Sequence, residues 1–292
     1  MSDLFFLLKP WVSRVRAFLL FSLYFVARLL RPGGVTILAY HSVNESSWVY
    51  AVTAKQFSQQ INYLQRNCEI VPLGYIVDFV RGERKLSPRT VAITFDDGYA
   101  DNFSVVYSFL KRFKIPMSLF VCTDLIDGKL RNKDLTHLKG MTWAQVIEMS
   151  KNDVTIGAHT VTHPRMYRIN STQMSTEVRE SRRIIESRIG RRVDYFAYPY
   201  GIASDSVSVV VDSVGFEAAF ASGTVGTVRE GDNLMALNRM DIDRRASLSK
   251  FKVYLTPAPL WLWIILRYVR AMLVRCRLSK LSTLVTWMLS FN

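Results

Sequence analysis

The chain has few cysteines, few histidines and no long apolar run. Its three cysteines, Cys68, Cys122 and Cys276, stand far apart and are odd in number. That excludes a disulfide framework and a metal site built on paired thiolates. A bilayer-spanning helix needs about 20 apolar residues. The N-terminal end offers only Ala17 to Ala27, 11 uncharged residues, and the C-terminal end Val253 to Leu266, 14 residues that include Pro257 and Pro259. No Ser/Pro/Gly-rich linker and no internal repeat divides the chain, so one large domain with attachments is the simplest organisation for 292 residues. Acidic residues are missing from both ends. Leu4 to Asn44 holds five basic residues and no acidic one, and Arg244 to Asn292 holds nine and none. The positive charge thus belongs to the two greasiest parts of the chain. Basic plus apolar points to an anionic lipid surface rather than to nucleic acid, for which no motif is present.

These patterns predict three regions. Residues 1–32 form an apolar, basic, membrane-associated segment, with Pro10 near the start of an interfacial helix and Trp11 and Tyr24 at headgroup level. No small-x-small cleavage pattern stands just before Arg28, which argues against a cleaved signal peptide. Residues 33–248 form the central domain. Residues 249–292 form amphipathic helices lying on the membrane, with Trp261, Trp263 and Trp287 shielded by lipid and Arg267, Arg270, Arg277 and Lys280 at the phosphates. The basic flanks place the protein on the cytoplasmic face of a bacterial inner membrane, an external domain on an uncleaved anchor being the alternative.

Within the central region, short apolar strands alternate with amphipathic helices, the pattern of a mostly parallel sheet. Strands are expected at Val35–Tyr40, Val91–Phe95, Ile115–Cys122, Val154–Ala158, Phe196–Tyr198, Ala218–Ala221 and Leu234–Ile242, with a short edge strand or loop at Ile70–Leu73. Helices are expected at Ala54–Asn67, Asn102–Phe113 (Val105, Val106, Phe109 and Leu110 on one face), Met141–Ser150, Thr172–Ile189 and Ser204–Val214; Asp127–Lys139 is a polar, basic loop. Six or seven strands suffice for a barrel or a large open sheet, and periodicity does not separate the two.

The centre of the pattern is Val91 to Ala100, VAITFDDGYA, an apolar strand that stops at Asp96, Asp97 and Gly98. Ligands of α/β folds bind at that lip, and two adjacent carboxylates there invite a cation. Of the four histidines, His41 directly follows the first strand, and His159 and His163 follow another, four residues apart. Two imidazoles and one carboxylate, from Asp96 or Asp97, make a sound site for a divalent cation with positions left open. His137 falls in the polar loop and is assigned no catalytic role.

Thr94-Phe-Asp-Asp-Gly-Tyr99, His159-Thr-Val-Thr-His163 and Tyr198-Pro-Tyr-Gly201 resemble the successive motifs of the polysaccharide deacetylase family (NodB homology, carbohydrate esterase family 4), over about residues 35–242. The resemblance implies a distorted (β/α)7 barrel that removes N-acetyl groups from amino sugars. By its motifs Asp96 is the general base, Asp97, His159 and His163 hold the metal, usually zinc, and Thr160 ties the loop. Two departures stand out. No histidine follows His163, so the family's late general acid is missing; Tyr40-His41-Ser-Val43 is similar to a subgroup that carries this histidine after the first strand, which gives His41 the role. The arginine of the third motif is also missing, and Arg239, near Asp241, is the replacement expected to orient the base. Tyr200 is the expected backbone oxyanion donor, and Tyr198 and Tyr200 are expected to stack on the sugar.

The chemistry follows from the difficulty of an amide: a poor electrophile with a poor leaving group. A divalent ion polarises the carbonyl and acidifies water; Asp96 takes the water's proton and His41 protonates the departing amine. The membrane-like ends favour N-acetylglucosamine on a polyprenyl phosphate or a nascent glycan near the membrane. The alternatives are a tethered poly-N-acetylglucosamine or peptidoglycan deacetylase and an inactive homologue serving as a glycan-binding component.

Overall fold

The structure is a computed structural model, and it describes residues 34–222 and 227–256. The chain divides into two compact units, Gly33–Leu248 and a second made of Met1–Pro32 with Ser249–Asn292. The amphipathic membrane helices expected at the two ends lie outside the described residues, apart from a helix at Leu248–Tyr254. Among the described residues no helix is long and apolar enough to cross a membrane.

Among the described residues ten strands are formed: β1 (Thr36–Tyr40), β2 (Ser42–Val43), β3 (Ala51–Val52), β4 (Glu69–Ile70), β5 (Thr90–Phe95), β6 (Ser118–Val121), β7 (Thr155–Ala158), β8 (Tyr195–Ala197), β9 (Ala218–Ser222) and β10 (Leu237–Asp241). Seven of them close into a parallel ring in the order β1-β10-β9-β8-β7-β6-β5, with β1 pairing back onto β5. That closure decides between open sheet and barrel in favour of a distorted (β/α)7 barrel. The distortion sits at β5. Its first residues, Thr90 and Val91, pair with β4, and its last, Thr94 and Phe95, with β6. β2 and β3 form a separate two-stranded ladder that holds the intervening loop, with Trp48 and Tyr50, beside the end of β1.

The strands read as near-continuous apolar runs because both faces are covered: all six residues of β5 and all five of β1 are buried. Helices supply the outer layer, and three of them start at a capping box. Thr53 and Gln56 form a capping box for Ala54–Asn67, which buries Phe57, Ile61 and Leu64. Thr142 caps Trp143–Lys151, so Met141 stands outside that helix. Asn170 opens Ser171–Ile189 and Gly190, at φ 68°, closes it. The segment after β5 departs from the regular helix expected there. Asn102–Tyr107 is π-helical and only Ser108–Arg112 is α-helical. The wider π turn shifts the face: Val106, Tyr107 and Leu110 are buried while Val105 is 37% exposed.

Candidate active site

The site gathers at the C-terminal ends of the ring strands, with residues at or just after the ends of β1, β5, β7, β9 and β10 in its wall. Asp96 N–H donates to Tyr40 O (2.9 Å) and Ile242 N–H to Ala39 O (2.8 Å). These bonds bring the ends of β1, β5 and β10, with His41, Asp96 and Asp241, to one rim. Asn102 Nδ2 donates to His41 O at 2.8 Å, so the π turn anchors the backbone of that histidine. The rim encloses a pocket of about 630 Å³ whose wall includes His41, Asp96, Asp97, His159, His163 and Asp241.

Asp97, His159 and His163 form a buried cluster whose candidate ligand atoms all lie within 4.8 Å of one another. His159 Nε2 and His163 Nε2 are 3.2 Å apart, and each is 3.5 Å from Asp97 Oδ1. Ligands held at about 2.0–2.2 Å in tetrahedral geometry stand roughly 3.3–3.5 Å from one another. Both Asp97 carboxylate oxygens are buried with no hydrogen-bond partner among the described residues. A buried carboxylate left so, facing two imidazole nitrogens, fits a single divalent cation. His159 Nδ1–H donates to Ala197 O at 2.7 Å, which turns the Nε2 lone pair toward the cluster.

Burial alone would raise the pKa of Asp97, but His159 and His163 outweigh it and hold the carboxyl well below its ordinary range. Burial drives His163 down to about 4, only partly offset by Asp97. For His159 burial is outweighed by Asp97 and Asp96, and its pKa rises.

The turn that presents the two histidines is strained and clamped. Of six non-glycine residues with positive φ among the described residues, four belong to this rim: Asp97 (69°), Thr160 (64°), His163 (52°) and Tyr200 (58°). Thr160 Oγ1 donates to His159 O and accepts from His163 N–H. Glu177, on the neighbouring helix, accepts from Val161 N–H (2.8 Å), Thr162 N–H (2.9 Å) and Thr162 Oγ1 (2.6 Å). Glu177 carries no sequence signal of this role, because it looks like any exposed helical glutamate.

Asp96 lies beside the cluster and is held by Arg239. Arg239 Nη1 and Nη2 each bond one Asp96 oxygen at 2.7 Å, and Nη1 also reaches Thr94 Oγ1 at 3.1 Å. Arg239 is fully buried and Asp96 is 3% exposed. Burial pushes the Asp96 pKa up, yet Arg239 and then His159 overcome it, so the carboxyl stays below its ordinary value.

One expectation is corrected here. Tyr198 is fully buried and its hydroxyl donates to Met235 O at 2.7 Å; it packs in the core instead of facing a sugar. His137, set aside as a loop residue, lines the pocket with its ring 4.5 Å from Trp48. Trp48 and Tyr50 in turn flank His41, at 5.9 and 4.8 Å between ring centres. Tyr200 does line the pocket, its ring 4.7 Å from His163. Asp241 enters as a site group: it is half-buried, desolvation raises its pKa, and the largest opposing influence is His41. Its signal was weaker than that of Asp96, because the strand it ends, LNRMD, is interrupted by Asn238 and Arg239.

The family model for polysaccharide deacetylase matches residues 83–219. Among curated relatives, YxkH of Bacillus subtilis is 23% identical over 227 residues, 77% of each chain. The poly-beta-1,6-N-acetyl-D-glucosamine N-deacetylase of Staphylococcus aureus is 22% identical over 182 residues, and the chain spans 61% of that protein's length. Among solved structures, the Streptococcus pyogenes deacetylase PplD in complex with acetate superposes with a TM-score of 0.68 at 20% identity, over 77% of this chain and 100% of that one. The chain therefore carries the polysaccharide deacetylase fold. With its Asp–His–His cluster and adjacent buried carboxylate, it is a metal-dependent amide hydrolase.

Proposed function

We propose that the protein removes the N-acetyl group from an N-acetylhexosamine, N-acetylglucosamine in the first instance, held on a lipid-linked or membrane-proximal glycan. The observation that carries the reaction is the placement of an arginine-pinned carboxylate, Asp96, beside the Asp97–His159–His163 cluster on the floor of one pocket. The amino-sugar substrate is supported by the likeness to the Staphylococcus aureus enzyme. The membrane carrier is supported by the acid-free, basic and apolar ends of the chain.

Asp97, His159 and His163 would hold the ion, zinc by the preference of two imidazoles and a carboxylate. When bound it supplies Lewis acidity to the acetyl carbonyl and lowers the pKa of water. Asp96 accepts the proton of the attacking water, whose oxygen bonds to the carbonyl carbon. Arg239 fixes both Asp96 oxygens and so sets the direction of its free lone pairs. The Tyr200 backbone N–H donates to the carbonyl oxygen as negative charge develops. His41 gives a proton to the nitrogen as the C–N bond breaks, and the products are acetate and a free amine. Asp241 lines the same wall of the pocket as His41. Trp48, Tyr50 and His137 give the sugar ring an aromatic wall.

The test is acetate release by full-length protein in detergent with added zinc. Substrates are polyprenyl-diphosphate-linked N-acetylglucosamine and, separately, chitin oligomers. Release from the lipid-linked sugar, abolished in Asp96→Asn, is the expected result. Release from the oligomers alone overturns the lipid carrier. No release from either by metal-loaded protein overturns the amino-sugar reading.

A further inference from the structure

The catalytic pocket is not a closed cup. A recess of about 400 Å³ opens from it and shares His163, Arg165 and Tyr200 with its wall. His163 is a member of the metal cluster, so the recess starts one side chain from where the acetyl group must sit. Its far side is the basic stretch that the sequence marked only as a polar loop. Lys129 and Arg131 line the recess, Lys133 lines the pocket and Arg165 lines both.

Ion pairing separates these four cations into two kinds. Lys129 Nζ is 3.1 Å from Asp127. Arg165 stacks over the Tyr200 ring at 4.1 Å and stands 3.8 Å from Asp134, which also accepts from Tyr200 Oη. Arg131 and Lys133 have no ion-pair or hydrogen-bond partner among the described residues. One further carboxylate, Asp124, lines the recess. The floor is rigid: Asn132 Nδ2 donates to His163 O at 2.9 Å and to Tyr200 Oη at 3.2 Å, and its Oδ1 accepts from Asp134 N–H. Asn132 thereby ties the backbone between the exposed Arg131 and Lys133 to the metal ligand's own carbonyl.

We propose that the mouth between recess and pocket is a subsite for a phosphoryl group on the sugar, gripped by Arg131 from the recess and Lys133 from the pocket, with Arg165 at the junction. The proposal rests on the N-deacetylase reading and specifies its substrate. In a 2-acetamido sugar the acetamide and the glycosidic oxygen stand on adjacent ring carbons. With the acetamide at Asp96 and the metal cluster, a group on the glycosidic oxygen falls beside the acetyl site, where the recess opens. An arginine fork and a lysine that lack partners suit a tetrahedral dianion or diester better than a single carboxylate. The sugar's remaining face is left to Trp48 and His137.

The experiment is calorimetric binding to the full chain in detergent, metal-free and zinc-loaded. The ligands are N-acetylglucosamine 1-phosphate and methyl N-acetylglucosaminide. The phosphorylated sugar is expected to bind about tenfold more tightly in both metal states, the scale of two partly exposed charge-assisted contacts. The preference is expected to shrink at high salt, to vanish in Arg131→Ala/Lys133→Ala and to invert in Arg131→Glu/Lys133→Glu. Equal binding of the two sugars overturns the subsite. A preference seen only with zinc also overturns it, because the phosphate is then on the metal. Acetate release from the neutral glycoside, measured alongside, keeps the two readings apart: its absence with zinc bound defeats the deacetylase reading, whereas release without a phosphate preference defeats only the subsite. Acetate release from N-acetylglucosamine 1-phosphate and from its polyprenyl-diphosphate counterpart distinguishes the sources: greater efficiency with the latter assigns the phosphoryl group to a lipid carrier, and parity assigns it to a free sugar phosphate.

Discussion

Replacing Arg239 by leucine removes the only guanidinium bonded to Asp96 among the described residues and leaves the carboxylate in place. Both oxygens lose a 2.7 Å bond in a region where Arg239 is 0% and Asp96 3% exposed. Breaking a buried pair from one side costs about 3–5 kcal/mol, because the remaining charge is uncompensated. For a domain of this size each kcal/mol moves Tm by about 2–4 °C, so a fall of roughly 6–20 °C is expected in chelator-treated protein. The pH dependence carries a sharper signature. In the parent, the Asp96 pKa is held below its unfolded value of about 3.9. Its contribution is therefore present above that pH and lost as pH falls through the folded pKa. In Arg239→Leu burial remains and the main attraction is gone, so the folded pKa rises above the unfolded one. The carboxylate then costs stability at neutral pH, and that cost disappears as pH falls through the raised pKa. The difference between the proteins should be largest near pH 7 and shrink toward pH 4. Asp96→Asn/Arg239→Leu, with both charges of the pair removed, should recover most of the loss. A denaturant midpoint for Arg239→Leu within about 1 kcal/mol of the parent, or a deficit that grows on acidification, would refute the reasoning.

His41→Ala should lower kcat by about 10²–10⁴-fold with metal content unchanged by elemental analysis; loss of the metal would make its role structural. Glu177→Ala, which frees three donors of the His159–His163 turn, should weaken metal affinity by about 10–100-fold, read by chelator competition. Zinc at a thousandfold excess over its Kd should stabilise the parent by about 4 kcal/mol, and Asp97→Asn should abolish that thermal shift. Because the His159 pKa is raised and a ligand imidazole must be neutral, apparent metal affinity should fall by about tenfold per pH unit below that pKa, in equilibrium dialysis.

How much of this the sequence discloses depends on the kind of contact. Asp96, Asp97, His41 and His159 each follow an apolar strand directly, and strand ends of a parallel barrel converge, so their meeting was legible residue by residue. Tyr198 follows a strand too, yet its side chain turns inward to Met235 O; position in the chain does not say which way a residue leaves the lip. Trp48 and His137 lie on loops whose path is set by packing and not by periodicity, so their contact was hidden. The face of the segment after Gly98 was misread because an amphipathic pattern presumes 3.6 residues per turn, and the chain adopts a π turn there. Arg239 was legible only as a substitute for an arginine missing elsewhere; that it takes both oxygens of Asp96 is a fact of register between β5 and β10, each paired to β1.

That ring closure also sets a clock on synthesis. Asp96 and Arg239 are 143 residues apart. At a translation rate of roughly 5–20 residues per second, the guanidinium leaves the ribosome about 7–30 s after the carboxylate it neutralises. Until β10 arrives, β1 and β9 each present an unpaired edge, and the nascent sheet is open to strangers. The last strand of the ring to be made is the one that both seals the barrel and neutralises the buried Asp96, so an interrupted chain would lack the two together.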